Sequence, residues 1–332
     1  MLKKIGFYGL SHLGLCYSAA YAKKNLNVIA VDLDKKKITN LKKNILDIYE
    51  KDLVKITKSK KIFYSDNIID LKKCDIVFFS NDVKTNAKNI SNISDIKKQI
   101  LYLDKKIDKT IPVIILSQVP PGFTRSLDLK RKLFYQVETL IFGEAMSRAL
   151  YPERIIIGKN NNSDLLSNEI KKMYKIFTPN IIEMNYESAE LAKISINLML
   201  ISSIMTSNFI SLYCEKMNAR WSDIKTSLHL DKRIGKFAYL NPSPGLSGGN
   251  LERDLMNSNK LFNYKKILNS WIDLDQKMKK WSVNLIKKNL PKKSSILICG
   301  ITYKENTLSM KNSLSLFLLK KLGKIYNITI LE

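Results

Sequence analysis

Lys193 and Asn197 stand four residues apart in the stretch "ESAELAKISINLML", a spacing that puts both on one face of a helix. An ammonium among apolar neighbours is costly to bury without a partner, which points to a role beyond packing. The alternative is a lysine that snorkels from an apolar helix. A second reactive-looking stretch is "SPGLSGGNLERDLMNSN", Ser243 to Asn259. It has a glycine pair, then Asn250, then Arg253 and Asp254 opening a helical pattern. A glycine-rich loop of this kind lets backbone approach a ligand closely. Asn250 follows the glycine pair directly. A third cluster is Gly9-Leu10-Ser11-His12-Leu13-Gly14, directly after an apolar run.

That third cluster is a G-x-G-x-x-G dinucleotide fingerprint with Ser11 at its middle position. The first glycine makes the tight turn, and the middle position lets backbone near a pyrophosphate. The last permits close helix–strand contact, and the helix N-terminus faces the phosphates. Ser11, His12 and Leu13 complete the phosphate-facing turn, and the Ser11 hydroxyl is expected to donate to a phosphate oxygen. Asp32 ends the next apolar run, at the spacing of the acidic residue that accepts from the adenosine ribose. Its charge repels a 2′-phosphate, so NAD is expected rather than NADP. The alternative is a strand–turn–helix with no ligand.

The elements that must hold these residues follow from the pattern. Apolar runs at 4–10, 27–34, 75–82 and 111–118 read as strands buried on both faces, with helical patterns near 12–25, 35–43 and 92–106 between them. That alternation implies a doubly wound, Rossmann-like parallel α/β sheet. "VETLIF" (137–142) and "RIIIG" are expected to extend it. Residues 187–219 contain no proline or glycine and read as a long spine helix in a central all-helical domain. A second long helix is expected over roughly 262–289. Then comes a C-terminal strand, a helix (312–323) and a strand (327–332). The domains are therefore expected at 1–185, 186–290 and 291–332, the last a partial Rossmann-like α/β unit.

Composition bounds the partners. The chain has 332 residues, too many for one ordinary core. Its 45% apolar content fits a packed globular protein. No uninterrupted run of about 18 apolar residues occurs, so neither a membrane span nor a membrane partner is expected. A cytoplasmic location is expected with it. Cys16, Cys74, Cys214 and Cys299 are widely spaced, and there are two histidines, so neither disulfides nor a metal site is expected. All four cysteines lie in apolar segments and read as buried. The formal charge of +26 raises nucleic acid as a partner. The lysines are scattered over every helical pattern rather than gathered in a stripe, so no nucleic-acid partner is expected. The charge still draws anionic small molecules toward a cleft.

Six collinear stretches resemble the UDP-glucose/GDP-mannose dehydrogenase family, the nucleotide-sugar dehydrogenases. They are "KIGFYGLSHLGL…VIAVDLD", "SQVPPGFTRSL", "VETLIFGEAMSRALYPERIIIG", "ESAELAKISINLML", "DKRIGKFAYLNPSPGLSGGNLERDL" and "GITYKENTLSMKNS". The resemblance implies NAD-dependent oxidation of a nucleotide-sugar C6 hydroxyl, carried in the family through an aldehyde to a carboxylate. It puts Lys193 and Asn197 near the reacting carbon and makes Asp254 the proton acceptor, acting with water. Glu138 matches a carboxylate that positions water and sugar, and Thr124 a threonine of the same site. Arg233 matches an arginine on the sugar or its phosphates. Tyr239 and the loop with Gly245, Gly248 and Gly249 would line the UDP- or GDP-linked sugar, and Lys304 would reach its hydroxyls. Lys311 stands where the family has an arginine near NAD; lysine keeps the charge and loses the bidentate fork. The resemblance also implies a homodimer through the helix at 187–219.

Two departures alter the expectation. The family loop carries a cysteine four residues before the aspartate, and here that position is Asn250; sliding by one residue puts Leu251 there. An aldehyde must gain a nucleophile before it can lose hydride, and an amide is a very poor one. The covalent acid-forming route is therefore expected to be absent. This leaves a stop at the aldehyde, oxidation of a hydrated aldehyde, action on another hydroxyl, or a paralogue that binds without turnover. The C-terminal unit is also shorter than the family's, which bears on recognition of the base.

Overall fold

Short apolar runs and helical segments alternate through the first half of the chain, and the computed structural model turns them into one open sheet. It describes residues 2–83, 91–160, 165–261 and 265–331. The chain divides into two units, with the boundary between Lys193 and Ile194.

The first unit contains β1 (Lys4–Tyr8), α1 (His12–Lys23), β2 (Asn27–Val31), α2 (Lys35–Lys42), α3 (Leu53–Thr57), β3 (Ile62–Ser65) and β4 (Ile76–Phe79). It continues with α4 (Ile93–Lys106), β5 (Val113–Ile115), β6 (Leu133–Gln136), α5 (Ala145–Leu150), β7 (Ile155–Lys159), α6 (Asn168–Lys175) and β8 (Ile181–Asn185). The eight strands lie in the order β3-β2-β1-β4-β5-β6-β7-β8. All neighbours are parallel except β6 and β7, which run antiparallel. The strand order reverses between β1 and β4, and open α/β sheets bind ligands at such a switch point, beyond the strands' carboxyl ends.

Period-two alternation sorts the strand residues onto two buried faces. Ile5, Phe7, Val28, Ala30, Ile76 and Phe78 enter one core cluster. Tyr8, Ile29, Val31, Val77 and Phe79 enter the other. Because both faces are covered, the strands read as continuous apolar runs. Segment 137–142, expected as a strand, is not one. The strand is β6, just before it. Its ladder closes with Val137 N–H donating to Ile156 C=O. The Glu138 carboxylate then accepts from Leu140 N–H at 3.0 Å, and that local turn ends the extension.

α7 (Tyr186–Met217) starts in the first unit. The Asn185 side chain accepts from Ser188 N–H at 2.8 Å and caps its first turn. Its end is set by Asn218, at φ +51°, with Ala219 N–H returning to Cys214 C=O. α7 is, among the described residues, the one helix long and apolar enough to cross a membrane by length and composition. The expectation of no such segment rested on uninterrupted apolar runs. Glu190, Lys193 and Asn197 interrupt this one, and all three are buried in the protein with polar partners.

The second unit holds the rest of α7, then α8 (Trp221–Leu230), α9 (Asn250–Leu261), α10 (Lys265–Asn289), β9 (Ser295–Cys299), α11 (Leu314–Leu322) and β10 (Asn327–Leu331). The helix expected over 262–289 is α10; residues 262–264 lie outside the described residues. Ile201, Ile204, Met205, Leu246, Leu255 and Leu268 form the core beneath the glycine-rich stretch. β9 and β10 form a parallel pair of their own, with α11 as the crossover. Cys16, Cys74 and Cys214 are buried as expected, whereas Cys299 is exposed, because β9 turns that side chain away from its helix-covered face.

Candidate functional site

The β1–α1 turn has the geometry a dinucleotide needs. Gly9 sits at φ +95°, and a Cβ there would lie 2.1 Å from the Asn81 amide oxygen. A Cβ on Gly14 would meet the Gly9 carbonyl oxygen at 1.9 Å. Both positions therefore exclude any side chain, the first for the turn and the second for close approach of helix to strand. Ser11 is the N-cap of α1 but makes no side-chain cap. The first-turn N–H groups, including those of His12 and Leu13, thus remain for an outside acceptor at the positive end of the helix. The Ser11 hydroxyl donates to Ser80 C=O at 2.9 Å.

Asp32 lies just past β2, with its side chain 13% exposed. It accepts from Leu10 N–H at 2.9 Å and from the Lys37 ammonium at 2.8 Å. One oxygen is thus tied to the glycine turn, at the carboxyl end of β2 beside β1. The residues present fit NAD. His12, the first residue of α1, has Nε2 2.7 Å from Glu50, and its ring stacks on Phe142 at 4.2 Å. Glu50 also accepts from Gly143 N–H and Ala145 N–H. This buried carboxylate ties the dinucleotide turn to the segment that carries Glu138. Lys37 and Glu50 were missed in the sequence. Lys37 had a signal, five residues beyond Asp32, whereas Glu50 had none.

One face of α7 carries Glu190, Lys193 and Asn197, at helical spacings of three and four. Lys193 Nζ is 2.8 Å from Glu138, with side chains only 7% and 13% exposed. Glu190 accepts from Gly122 N–H and Thr124 N–H. The Thr124 hydroxyl is buried beside the Glu190 carboxylate. In the second unit, Asn197 Nδ2 donates to Asp254 Oδ2, and Arg253 Nε donates to Asp254 Oδ1 at 3.2 Å. Each sequence-identified residue of α7 thus holds an acidic partner. Glu190, missed in the sequence, was findable from its three-residue spacing to Lys193.

The glycine-rich loop is built tightly. Gly245 at φ +117° packs on Lys279 and Asp275, and Gly248 at φ +79° packs on Tyr303. Gly248 N–H donates to Lys311 C=O, and the Lys311 chain lies along Gly249, where a Cβ would come within 3.1 Å. Burial, and then the nearby Arg253, push the Lys311 ammonium down. Asn250 opens α9 one turn ahead of Asp254, so both lie on one face. Leu251 instead packs on the apolar cluster of Ile201 and Leu255. Arg233 is 88% exposed and forks onto Asp231, Tyr239 is 51% exposed, and Lys304 lies in the half-buried loop after β9.

A doubly wound sheet with this turn, Asp32 bonded to it and an ammonium–carboxylate pair on the helix that follows has the build of a dinucleotide-binding domain. The comparisons with known proteins narrow the class. Residues 3–178 match the NAD binding domain of the UDP-glucose/GDP-mannose dehydrogenase family, and residues 187–276 match its central domain. The chain belongs to that family and is an NAD-dependent nucleotide-sugar dehydrogenase by membership. It is similar to UDP-glucose 6-dehydrogenase of Campylobacter jejuni, 30% identical over 346 residues, covering 98% of this chain and 84% of the relative. The UDP-glucose 6-dehydrogenase of Rickettsia bellii is 31% identical over 340 residues, covering 96% and 78%. Among solved structures, a UDP-glucose dehydrogenase from Pyrobaculum islandicum shares the fold at a TM-score of 0.89 and 18% identity, over 99% of this chain and 82% of that one.

Proposed function

We propose that the chain oxidises the C6 hydroxyl of a UDP- or GDP-linked sugar, UDP-glucose first, and that Asn250 leaves the product at the aldehyde. The observation that carries this is the pairing of Asn197 with Asp254, on the helix face that also presents Lys193. Bound NAD supplies the hydride acceptor. Asp254 accepts the hydroxyl proton through a water, and Asn197 and Arg253 hold the acid in place. Lys193 and Asn197 stabilise the oxygen as negative charge develops on it. Glu138 orients Lys193, water and sugar, and Thr124 belongs to the same site. The C6–H bond breaks with its electron pair leaving as hydride, and a carbonyl forms.

For the rest of the substrate, Tyr239, the loop with Gly245, Gly248 and Gly249, and Lys304 are assigned to the sugar, and Arg233 to its diphosphate. Lys311 is assigned to the cofactor side. Asp32 accepts from the adenosine ribose, and Gly9, Ser11, His12, Leu13 and Gly14 carry the pyrophosphate turn. The domains are read at 1–185, 186–290 and 291–332. A homodimer through α7 belongs to this reading, as does a cytoplasmic enzyme with no nucleic-acid or membrane partner. Met199, Phe209, Tyr213 and Met217 are 70%, 52%, 53% and 75% exposed, and the last three repeat every fourth residue along one stripe. Light scattering on the purified chain tests the dimer; a monomer at micromolar concentration removes that part.

The deciding experiment counts NADH formed per sugar over a panel of UDP- and GDP-sugars. One per sugar is expected. Two would show that acid formation proceeds with Asn250 in place. None, with NAD still bound, would favour a paralogue that binds without turnover.

A further inference from the structure

Glu190 has no exposed surface, and the chemistry above makes no use of it. It sits on α7 one turn ahead of Lys193. Its two oxygens accept from Gly122 N–H at 2.5 Å and Thr124 N–H at 2.8 Å. Both donors belong to the turn "PPGFT", in which Gly122 adopts φ +87° with open space around it. The positive φ, not crowding, is what favours glycine there. The same turn is tied a second time, outside, where the Arg125 guanidinium forks onto Glu187. Two carboxylates one turn apart on α7 thus grip the segment 122–125, one half-buried and one fully buried. Burying a carboxylate is costly, and a neutral apolar residue would fill the space at lower cost. Its two N–H donors, by contrast, are satisfied together only by two acceptor oxygens.

We propose that Glu190 is a positioning residue: its ionised carboxylate fixes the Gly122–Thr124 backbone against α7, holding Thr124 in register with Lys193 for hydride transfer. This deepens the functional reading and rests on Thr124 belonging to the site. The neutral acid, like an amide, offers one good acceptor oxygen where two N–H groups need one each. Loss of charge therefore frees one donor and loosens the turn. Burial pushes the Glu190 carboxyl up; the neighbouring Thr124 side chain and the two backbone donors oppose this, and Glu187 adds to it. The charged groups around it are Glu187 and Arg125 at the outer end and Lys193 on the next turn. Activity is therefore lost on the acid side at a higher pH than an ordinary carboxylate gives.

The test is Glu190→Gln, read in four ways. The expected result is a fall in kcat of about ten- to a hundredfold, the range a small misplacement of a reacting group produces. KM for sugar and NAD should stay within about threefold, since ground-state binding is untouched. Hydrogen exchange of the Gly122 and Thr124 amides should accelerate, and the acid limb of kcat should flatten. Wild-type kcat with unchanged exchange overturns the proposal. In wild-type protein, the protection of these two amides relative to their intrinsic exchange rates should fall as pH falls through the acid limb, and pH-independent protection overturns it without any variant. Thr124→Ala separates the two layers. If it leaves kcat unchanged, the reading of Thr124 fails and this inference with it. If it lowers kcat and Glu190→Gln does not, the inference alone fails.

Discussion

The Lys193 ammonium lies 2.8 Å from the Glu138 carboxylate, with the two side chains 7% and 13% exposed. Removing one partner strands a buried charge, whereas removing both does not. Glu138→Leu is therefore expected to cost about 3–5 kcal/mol of stability in urea unfolding. The double variant Glu138→Leu/Lys193→Met should recover most of that loss while remaining inactive. Recovery of stability without activity separates packing from chemistry; full activity in the double variant would remove both residues from the mechanism.

On the proposed reading, Asp32 and Lys37 choose between NAD and NADP. The ammonium is held 2.8 Å from the carboxylate, which engages its charge. Asp32→Ser removes the group that repels a 2′-phosphate and frees Lys37 to meet one. A hydrogen bond to a charged group contributes about 1.5–3 kcal/mol, so NADP affinity should rise at least about tenfold while NAD affinity falls. Adding Lys37→Ala should cancel the NADP gain. Fluorescence titration with both cofactors reads each arm, and a gain that survives Lys37→Ala would show that the lysine plays no part.

Much of this architecture is written in local pattern. β1, β2, β4 and β5 are legible because strands covered on both faces lose the apolar–polar alternation and become continuous runs. α7 is legible because nothing in it breaks a helix. The failures are also physical. "VETLIF" has the composition of a strand, but the Glu138 side chain bonds its own backbone and ends the ladder at Val137. β3 and β8 are edge strands of four and five residues, too short for a pattern to stand out, and each is recruited by its one neighbour. Lys193, Asn197, Glu138 and Asp254 were visible as residues, but not their pairing, since Glu138 lies 55 positions from Lys193 by their numbers and Asp254 lies 57 from Asn197. Glu50 joins three segments and has no local signature at all.

Glu252 gives a pH dependence of known sign. Burial pushes its carboxyl up; the Lys279 ammonium opposes this and Asp275 adds to it. Its Oε2 is buried with no hydrogen-bond partner among the described residues. A group whose folded pKa exceeds its unfolded value contributes stability that is complete below the unfolded value, about 4.3 for glutamate, and is lost as pH rises through the folded value. Glu252→Gln removes that loss. The Tm of the variant relative to wild type should therefore be higher at pH 8 than at pH 5. The opposite trend would show that the ionised form is the favoured one in the fold.

Asn250 opens α9 one turn ahead of Asp254, and a thiol at that position gains two things. A helix N-terminus lowers a thiol pKa, and the helix face aims it where Asp254 points. Asn250→Cys should therefore supply the missing nucleophile. The thiolate adds to the C6 aldehyde, forming a C–S bond. The resulting hemithioacetal gives up hydride to a second NAD and becomes a thioester, and water then releases the acid and restores the thiol. NADH per sugar should rise from one to two. A denatured reaction mixture should show the introduced thiol carrying a mass increase equal to the acyl sugar nucleotide. Leu251→Cys is the control. That side chain packs on the cluster of Ile201 and Leu255, a third of a turn away, and should leave the count at one. An Asn250→Cys enzyme that still stops at one, with the thiol titratable, would mean that the reacting carbon does not lie over this end of α9.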